Sequence, residues 1–488
     1  MDNQLKLKKI QQIISFLGER AHEKFSMCQY NDALCYISSS AQIQYAVNQN
    51  YTDEALEELL SDIASKITFV PADYCGDLNT VLFYDGFGLD LRGLAITYTI
   101  AIAKSGFHLV YVIPENSKKN IPHIIAELAS YNVDIIELEG KKHIEKIKNL
   151  NYIFNKYRPN TAFFYTVPND VTAVTVFDSF KGKVTRYQID LTDHAFWLGT
   201  KAVDYIMESR EMGASLAIYE RGFTESQIRR LDALTYINNE ICTDVLPFDI
   251  EKEKYFFSGG ALYKTLGDKE LFFYKTIDHI LNKYKNMKFL YAGYGDSSEI
   301  QKLEKKYPGR VYLISERPDF YRLIENCVFY LNSYPMFGGM MMRYAALANK
   351  LPMTLKHERD SDGILFNQEE LGIEFADYHS FINEIELILN NDVYRREKEK
   401  GLLGSVLTED VFNSNVKSLI TDGKTEFFFN KIPIMDTTKF RNEYIERFKY
   451  PEDLHSAIFN RKNLNLIFRF PRLYILSRIN KLKGKVGI

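Results

Sequence analysis

The run Val328-Phe-Tyr-Leu-Asn-Ser-Tyr-Pro-Met-Phe-Gly-Gly-Met-Met-Met-Arg-Tyr-Ala-Ala-Leu-Ala-Asn-Lys-Leu-Pro352-Met-Thr-Leu leaves the chain few ways to fold. Val328 to Leu331 is β-branched and aromatic and reads as a buried strand. Asn332 to Pro335 reads as a turn, Gly338-Gly339 as the mouth of a helix over about Met340 to Asn349, and Met353 to Leu355 as the next strand. Strand, glycine turn, helix, strand is a βαβ unit, which demands a parallel sheet. Glycines at a helix mouth let backbone approach a ligand closely. The free N–H groups of the first turn and the helix dipole then favour an anion there, phosphate above all. The same residues would equally suit a tight turn with no ligand.

The alternation recurs in both directions. Thr80 to Tyr84 is a strand, and Asp85-Gly-Phe-Gly-Leu-Asp-Leu-Arg-Gly93 is a glycine-rich turn before a helix from Leu94 to Ser105. A second strand starts at His108. Helices over 121–131, 142–157 and 170–177 alternate with strands over 133–138, 161–166 and 183–189. The glycine spacing is not that of the dinucleotide fingerprint. A second series starts at Tyr255-Phe-Phe-Ser-Gly-Gly260-Ala-Leu-Tyr-Lys264. It continues through the strand 288–292 into Gly293-Tyr-Gly295, the helix 298–306, the strand 311–314 and the helix 319–325. The expected fold class is therefore α/β, two tandem Rossmann-like domains. The expected boundaries are a helical segment 1–66, a first Rossmann-like domain 67–248, a second 249–425, and a terminal region 426–488. Within 1–66, Tyr30-Asn-Asp-Ala-Leu34 reads as a turn in one tetratricopeptide-type helix pair. One pair cannot stack into a solenoid, so a cap on the next domain and a protein-docking surface both stay open.

Composition narrows the classes. The chain has 488 residues, 46% hydrophobic and 26% charged, with 33 Tyr, 34 Phe and a single Trp. That is ample material for two cores. A net charge of −3 argues against general nucleic-acid binding. Five scattered cysteines lack metal spacing and fit a reduced, cytoplasmic setting. No run of about 18 apolar residues occurs to span a membrane. The end differs from the rest. Residues 461–488 carry eight basic residues and no acidic one, leaving 53 basic and 64 acidic elsewhere, a net −11. Interleaved Phe468, Phe470, Leu473, Ile475 and Leu476 are expected to meet an anionic membrane surface, with Pro471 splitting the segment in two. The alternative is a terminal helix docked on the body.

Strand ends hold the ligands of open α/β sheets. Strand 184–189 ends in Asp190-Leu-Thr-Asp193-His194-Ala-Phe-Trp197, so a histidine stands beside two carboxylates where chemistry is expected.

Two tandem Rossmann-like domains with glycine turns at strand ends resemble the GT-B glycosyltransferases, over roughly residues 78 to 450. The resemblance implies a nucleotide-sugar in the second domain, an acceptor on the first and reaction between them. Gly86 and Gly88, with Arg92 and Gly93, are similar to the first domain's glycine loop. Gly260 with Lys264 is similar to the first loop of the donor domain, whose basic residue meets the diphosphate. Gly293 and Gly295 are similar to its Gly-x-Gly turn. Gly338, Gly339 and Met340 look like the main diphosphate site. Many retaining members carry two glutamates around this helix; here those slots hold Phe337 and Ala345. Sugar contacts then fall to Arg343 or Glu358. The segment after Asp193, with Arg210 and Glu220-Arg221-Gly222, resembles bacterial surface-glycan transferases of capsule and polysaccharide biosynthesis.

The resulting expectation is a glycosyltransferase using a UDP- or GDP-linked sugar and a glycan or lipid-linked acceptor. It needs no cofactor and no metal, and it sits peripherally at the inner membrane face. Asp190, Asp193 and His194 are the acid–base candidates. A sugar-nucleotide epimerase of the same fold and a silent subunit docking a partner through residues 1–66 remain alternatives.

Overall fold

The computed structural model describes residues 3–90, 94–237, 242–356, 364–448, 454, 459 and 464–486. The chain divides into two units, one of Met1–Leu231 with Phe412–Ile488, the other of Asp232–Val411.

Unit 1 is built on seven strands, β1 (Asp77–Asp85), β2 (His108–Pro114), β3 (Val133–Leu138), β4 (Pro159–Tyr165), β5 (Thr185–Ile189), β6 (Tyr205–Glu208) and β7 (Ile228–Arg230). They pair in the order β3-β2-β1-β4-β5-β6-β7, and every pairing is parallel. The central strand β1 is buried continuously from Thr80 to Asp85, as a strand covered on both faces must be. The alternation in the sequence locates the first five strands. It does not reveal β6 and β7, which are too short to show a period.

Three helices, Asn3–Ser26, Tyr30–Val47 and Glu54–Ile67, precede the sheet. Tyr30 to Leu34, expected as a turn, instead opens the second helix. The turn lies just before it, where Cys28 takes a left-handed φ of 56°. These helices spend their apolar faces on the unit itself: Ile10, Ile13, Leu17, Leu34, Leu59 and Ile63 share one core with Leu82, Val110 and Phe164. Ile445, Phe448, Leu454 and Leu473 from the end of the chain join the same core. Lys6 binds the two termini together, donating to the carbonyls of Ile445 (2.6 Å) and Phe448 (2.7 Å) at the end of the helix Thr438–Arg447.

Unit 2 repeats the plan with β8 (Tyr255–Ala261), β9 (Lys288–Tyr294), β10 (Val311–Ile314), β11 (Tyr330–Leu331), β12 (Pro352–Leu355) and β13 (Glu374–Phe375). Their order is β10-β9-β8-β11-β12-β13, matching the first six strands of unit 1. The helix expected over 340–349 is Gly339–Leu347. It stops where Asn349 turns left-handed at φ 55°. In each sheet the strand order reverses once, between β1 and β4 and between β8 and β11, and such switch points are where open α/β sheets leave a crevice. Among the described residues, no helix is long and apolar enough to cross a membrane.

Candidate functional site

At the switch point of unit 2 the chain leaves β8 through Gly260 into a short 3₁₀ turn, Leu262–Thr265, that carries Lys264. It leaves β11 through Asn332 into the Gly338-Gly339 helix. The two are joined by backbone: Met336 N–H donates to the Lys264 carbonyl at 3.1 Å. Asn332 shapes the turn, its Oδ1 accepting from Ser333 N–H (3.0 Å) and Gly338 N–H (2.9 Å). Its amide donates to Thr354 Oγ1 at 3.2 Å. The next N–H groups, of Gly339, Met340 and Met341, open the helix and have no partner four residues back. Met340 is 37% exposed at this mouth. Lys264 is half-buried and makes no ion pair among the described residues. Burial pushes its ammonium pKa down, so an anion placed beside it would be bound strongly.

Not every glycine of the expected donor site faces outward. Gly260 and Gly293 are register partners on β8 and β9. A Cβ on Gly293 would lie 2.0 Å from the Gly260 carbonyl oxygen, so this glycine admits the neighbouring strand. Gly260 and Gly295 hold left-handed φ values of 113° and 122° at the ends of those strands. Arg343 points into unit 2, donating from Nε to the Ile364 carbonyl at 3.1 Å. Glu358 and, in unit 1, Arg92 with Gly93 lie outside the described residues.

The glycine loop of unit 1 also packs against its own unit. Asp85 closes it, accepting from Phe87 N–H (2.8 Å), Gly88 N–H (3.1 Å) and the Tyr111 hydroxyl (2.8 Å). A Cβ on Gly86 would lie 3.1 Å from Asp170 Oδ2, and one on Gly88 2.6 Å from Ser117 Oγ.

The loop after β5 holds the densest chemistry. Arg210, at the start of the helix Glu211–Tyr219, grips Asp193 through Nε (2.5 Å) and Nη2 (2.6 Å). Burial opposes ionisation of Asp193, yet the Arg210 charge and its hydrogen bonds prevail and hold the carboxyl well below its usual range. Asp190 is fully buried, accepting from Trp197 Nε1 at 3.2 Å with Arg221 at 3.9 Å. Burial still pushes it up to about 6. Arg221 ties the loop down, donating to the carbonyls of Asp193 and Ala195, each at 2.7 Å. It also lies against the rings of Trp197 and Tyr51.

Glu208, unmarked by any motif in the sequence, ends β6 beside this cluster. Its carboxyl oxygens find no hydrogen-bond partner among the described residues. Burial, then the charges of Asp190 and Asp193, push it well above its ordinary value, toward the neutral acid. Of the three expected acid–base residues, Asp190 and Asp193 are thus enclosed and His194 is open, its side chain 36% exposed. His194 Nδ1 lies 3.1 Å from Asp193 Oδ1. With an ionised acceptor there, a neutral ring would carry its proton on Nδ1 and leave the Nε2 lone pair free.

The N-terminal helices hold this loop, a role their sequence does not show. Asn48, left-handed at φ 43° after the second helix, donates to the His194 carbonyl (2.9 Å) and accepts from Phe196 N–H (3.0 Å). Glu57, 2% exposed, accepts from Gly199 N–H at 2.7 Å. Burial raises Glu57 from 4.5 to about 7. Folding therefore favours its protonated form. That contribution is complete below the unfolded value of 4.5 and is lost as pH rises through about 7. Glu57→Gln keeps the accepting oxygen without the charge. At pH above 7 it should raise stability by up to about 3 kcal/mol in urea unfolding followed by Trp197 fluorescence, and the gain should fade near pH 4.5. Parallel pH slopes for the two proteins would refute this account.

Comparison with models of known protein families gives no match, and comparison with curated proteins gives none. Solved structures do match. One is a Listeria monocytogenes protein described as a UDP-N-acetylglucosamine 2-epimerase: 11% identity, TM-score 0.52, covering 72% of this chain and 100% of that one. Another is a UDP-N-acetylglucosamine 2-epimerase at 12% identity and TM-score 0.50, covering 73% and 100%. A mutant of the Thermobaculum terrenum O-GlcNAc transferase matches at 13% identity and TM-score 0.45, covering 92% and 82%. At these identities the likeness is one of fold, and the fold is GT-B: two Rossmann-like domains with parallel sheets, here with a helical N-terminus.

Proposed function

We propose that this GT-B chain is a glycosyltransferase that takes a sugar from a UDP- or GDP-linked donor. The reading rests above all on the switch point of unit 2, where a half-buried lysine is tied by backbone to an open helix mouth. A nucleoside diphosphate satisfies both. Its phosphate oxygens accept from the N–H groups of Gly339, Met340 and Met341, and its charge neutralises Lys264. When the bond from anomeric carbon to diphosphate oxygen breaks, the charge that develops on the leaving oxygen is stabilised by the same groups. The new bond forms to an acceptor hydroxyl of a glycan or lipid-linked sugar. His194 takes the hydroxyl proton on Nε2, and Asp193 keeps the ring in that tautomer.

Lys264→Ala should weaken UDP or GDP binding about 10- to 100-fold in titration calorimetry, the range for one charge-assisted hydrogen bond. Unchanged affinity for both would overturn the donor assignment. Incubation with a panel of nucleotide-sugars separates the chemistries. Transfer or hydrolysis releases the nucleoside diphosphate, whereas epimerisation changes the sugar and releases none. A silent subunit gives neither product.

A further inference from the structure

We propose that the helix Pro471–Val486 is an interfacial element, docked on unit 1 by one face and laid on an anionic lipid bilayer by the other. The inference does not depend on which reaction the protein catalyses.

The docked face is well defined. Leu473 is 5% exposed and Ser477 1%. Just before the helix, the Phe470 ring meets Phe16 edge-on at 6.3 Å, and the Arg469 guanidinium lies 4.3 Å from the centre of the Phe16 ring. Tyr474 packs edge-on against Phe459. The sequence expectation placed Phe470 and Leu473 at lipid along with their neighbours. The structure corrects this: those two belong to the body.

What remains outward is not the polar face that a docked terminal helix should show. Ile475 is 55% exposed, Leu476 48%, Ile479 45%, and Phe468 on the preceding turn 85%. Ile475 and Ile479 stand one helical turn apart. That is the period of one helix face, roughly opposite Leu473 and Ser477. Arg472 and Arg478, both exposed, flank the Ile475 and Ile479 pair on either side. At 16 residues the helix is about 24 Å long. A bilayer span needs about 20 apolar residues, so a helix of this kind lies in the plane of the interface.

Charge decides the occupant. Segment 461–488 holds eight basic residues and no acidic one, on a chain that is otherwise net −11. Cores of protein–protein interfaces are depleted in such charge. An anionic surface instead gains roughly fivefold in affinity for each basic residue held near it, while apolar side chains enter the headgroup boundary. A second copy of this chain would bring the same positive stripe and be repelled.

The test uses the full-length protein, sedimented with phosphatidylcholine vesicles with and without phosphatidylglycerol over a series of salt concentrations. The wild type should sediment only with the anionic vesicles, and less as salt rises. Ile475→Glu/Ile479→Glu and Arg472→Glu/Arg478→Glu, all at exposed positions, should each lower the apparent partition at least tenfold. Both should retain the far-ultraviolet circular dichroism and the nucleotide affinity of the wild type. Equal sedimentation of wild type and both variants, or equal binding to neutral vesicles, overturns the proposal. Absence of vesicle binding together with self-association that Ile475→Glu/Ile479→Glu abolishes also overturns it, and assigns the face to a second copy.

Discussion

Replacing Asp193 with alanine is expected to destabilise unit 1 by about 3–5 kcal/mol, the cost of stranding the other half of a buried ion pair. Arg210 loses a two-point partner at 2.5 and 2.6 Å. The cluster then keeps two guanidinium groups, Asp190 raised to about 6, and Glu208 pushed toward its neutral form. Part of the loss should be recovered. Without the Asp193 charge, a smaller repulsion acts on Glu208, which can then ionise toward Arg210. The lower end of the range is therefore the better expectation. The observation is direct because the chain's single tryptophan, Trp197, lies in this loop, 1% exposed and bonded to Asp190. Its emission reports on unit 1 alone. A urea midpoint for Asp193→Ala within about 0.5 kcal/mol of wild type would mean that the ion pair contributes nothing to the fold.

The second large effect is on rate. His194→Ala is expected to lower turnover about 100-fold or more, as for a positioned general base. Nucleotide affinity, which the proposed donor site assigns to unit 2, should stay within about twofold. Unfolding followed by Trp197 should change little, because the ring gives the loop one hydrogen bond, to Asp193, beside the two from Arg210 and the one the His194 carbonyl accepts. Those two controls separate a proton-transfer role from a structural one. Full activity in the variant would remove His194 from the reaction, and so would a parallel loss of donor affinity and rate.

Much of this fold was legible in the sequence because parallel strands buried on both faces are continuous apolar runs. Val81 to Tyr84 and Phe289 to Ala292 announce themselves. Strands β6 and β7 do not, since β6 ends on a buried glutamate and β7 on two arginines. The candidate site was legible by position and less so by role. Strand ends could be named, so Lys264, Gly338 and His194 could be named. What a glycine makes room for could not: Gly293 and Gly338 look alike in the sequence, yet one admits the carbonyl of the next strand. Nor could the enclosure of Asp190 and Asp193 be foreseen, because it comes from Arg210, Arg221 and two N-terminal helices over 100 residues away.

Unit 1 is completed by residues from both ends of the chain, whereas unit 2 is one contiguous stretch. During synthesis that difference becomes an order in time. Residues 232–411 can assume their final pairing while the last segment is still in the ribosome. Unit 1 must wait for the Leu419 carbonyl that takes the Tyr187 hydroxyl, and for the Ile445 and Phe448 carbonyls that take Lys6. Until then the first sheet stands with part of its apolar cover missing, the kind of intermediate that chaperones engage. A chain cut short after residue 411 should leave the later unit folded and the earlier one incomplete.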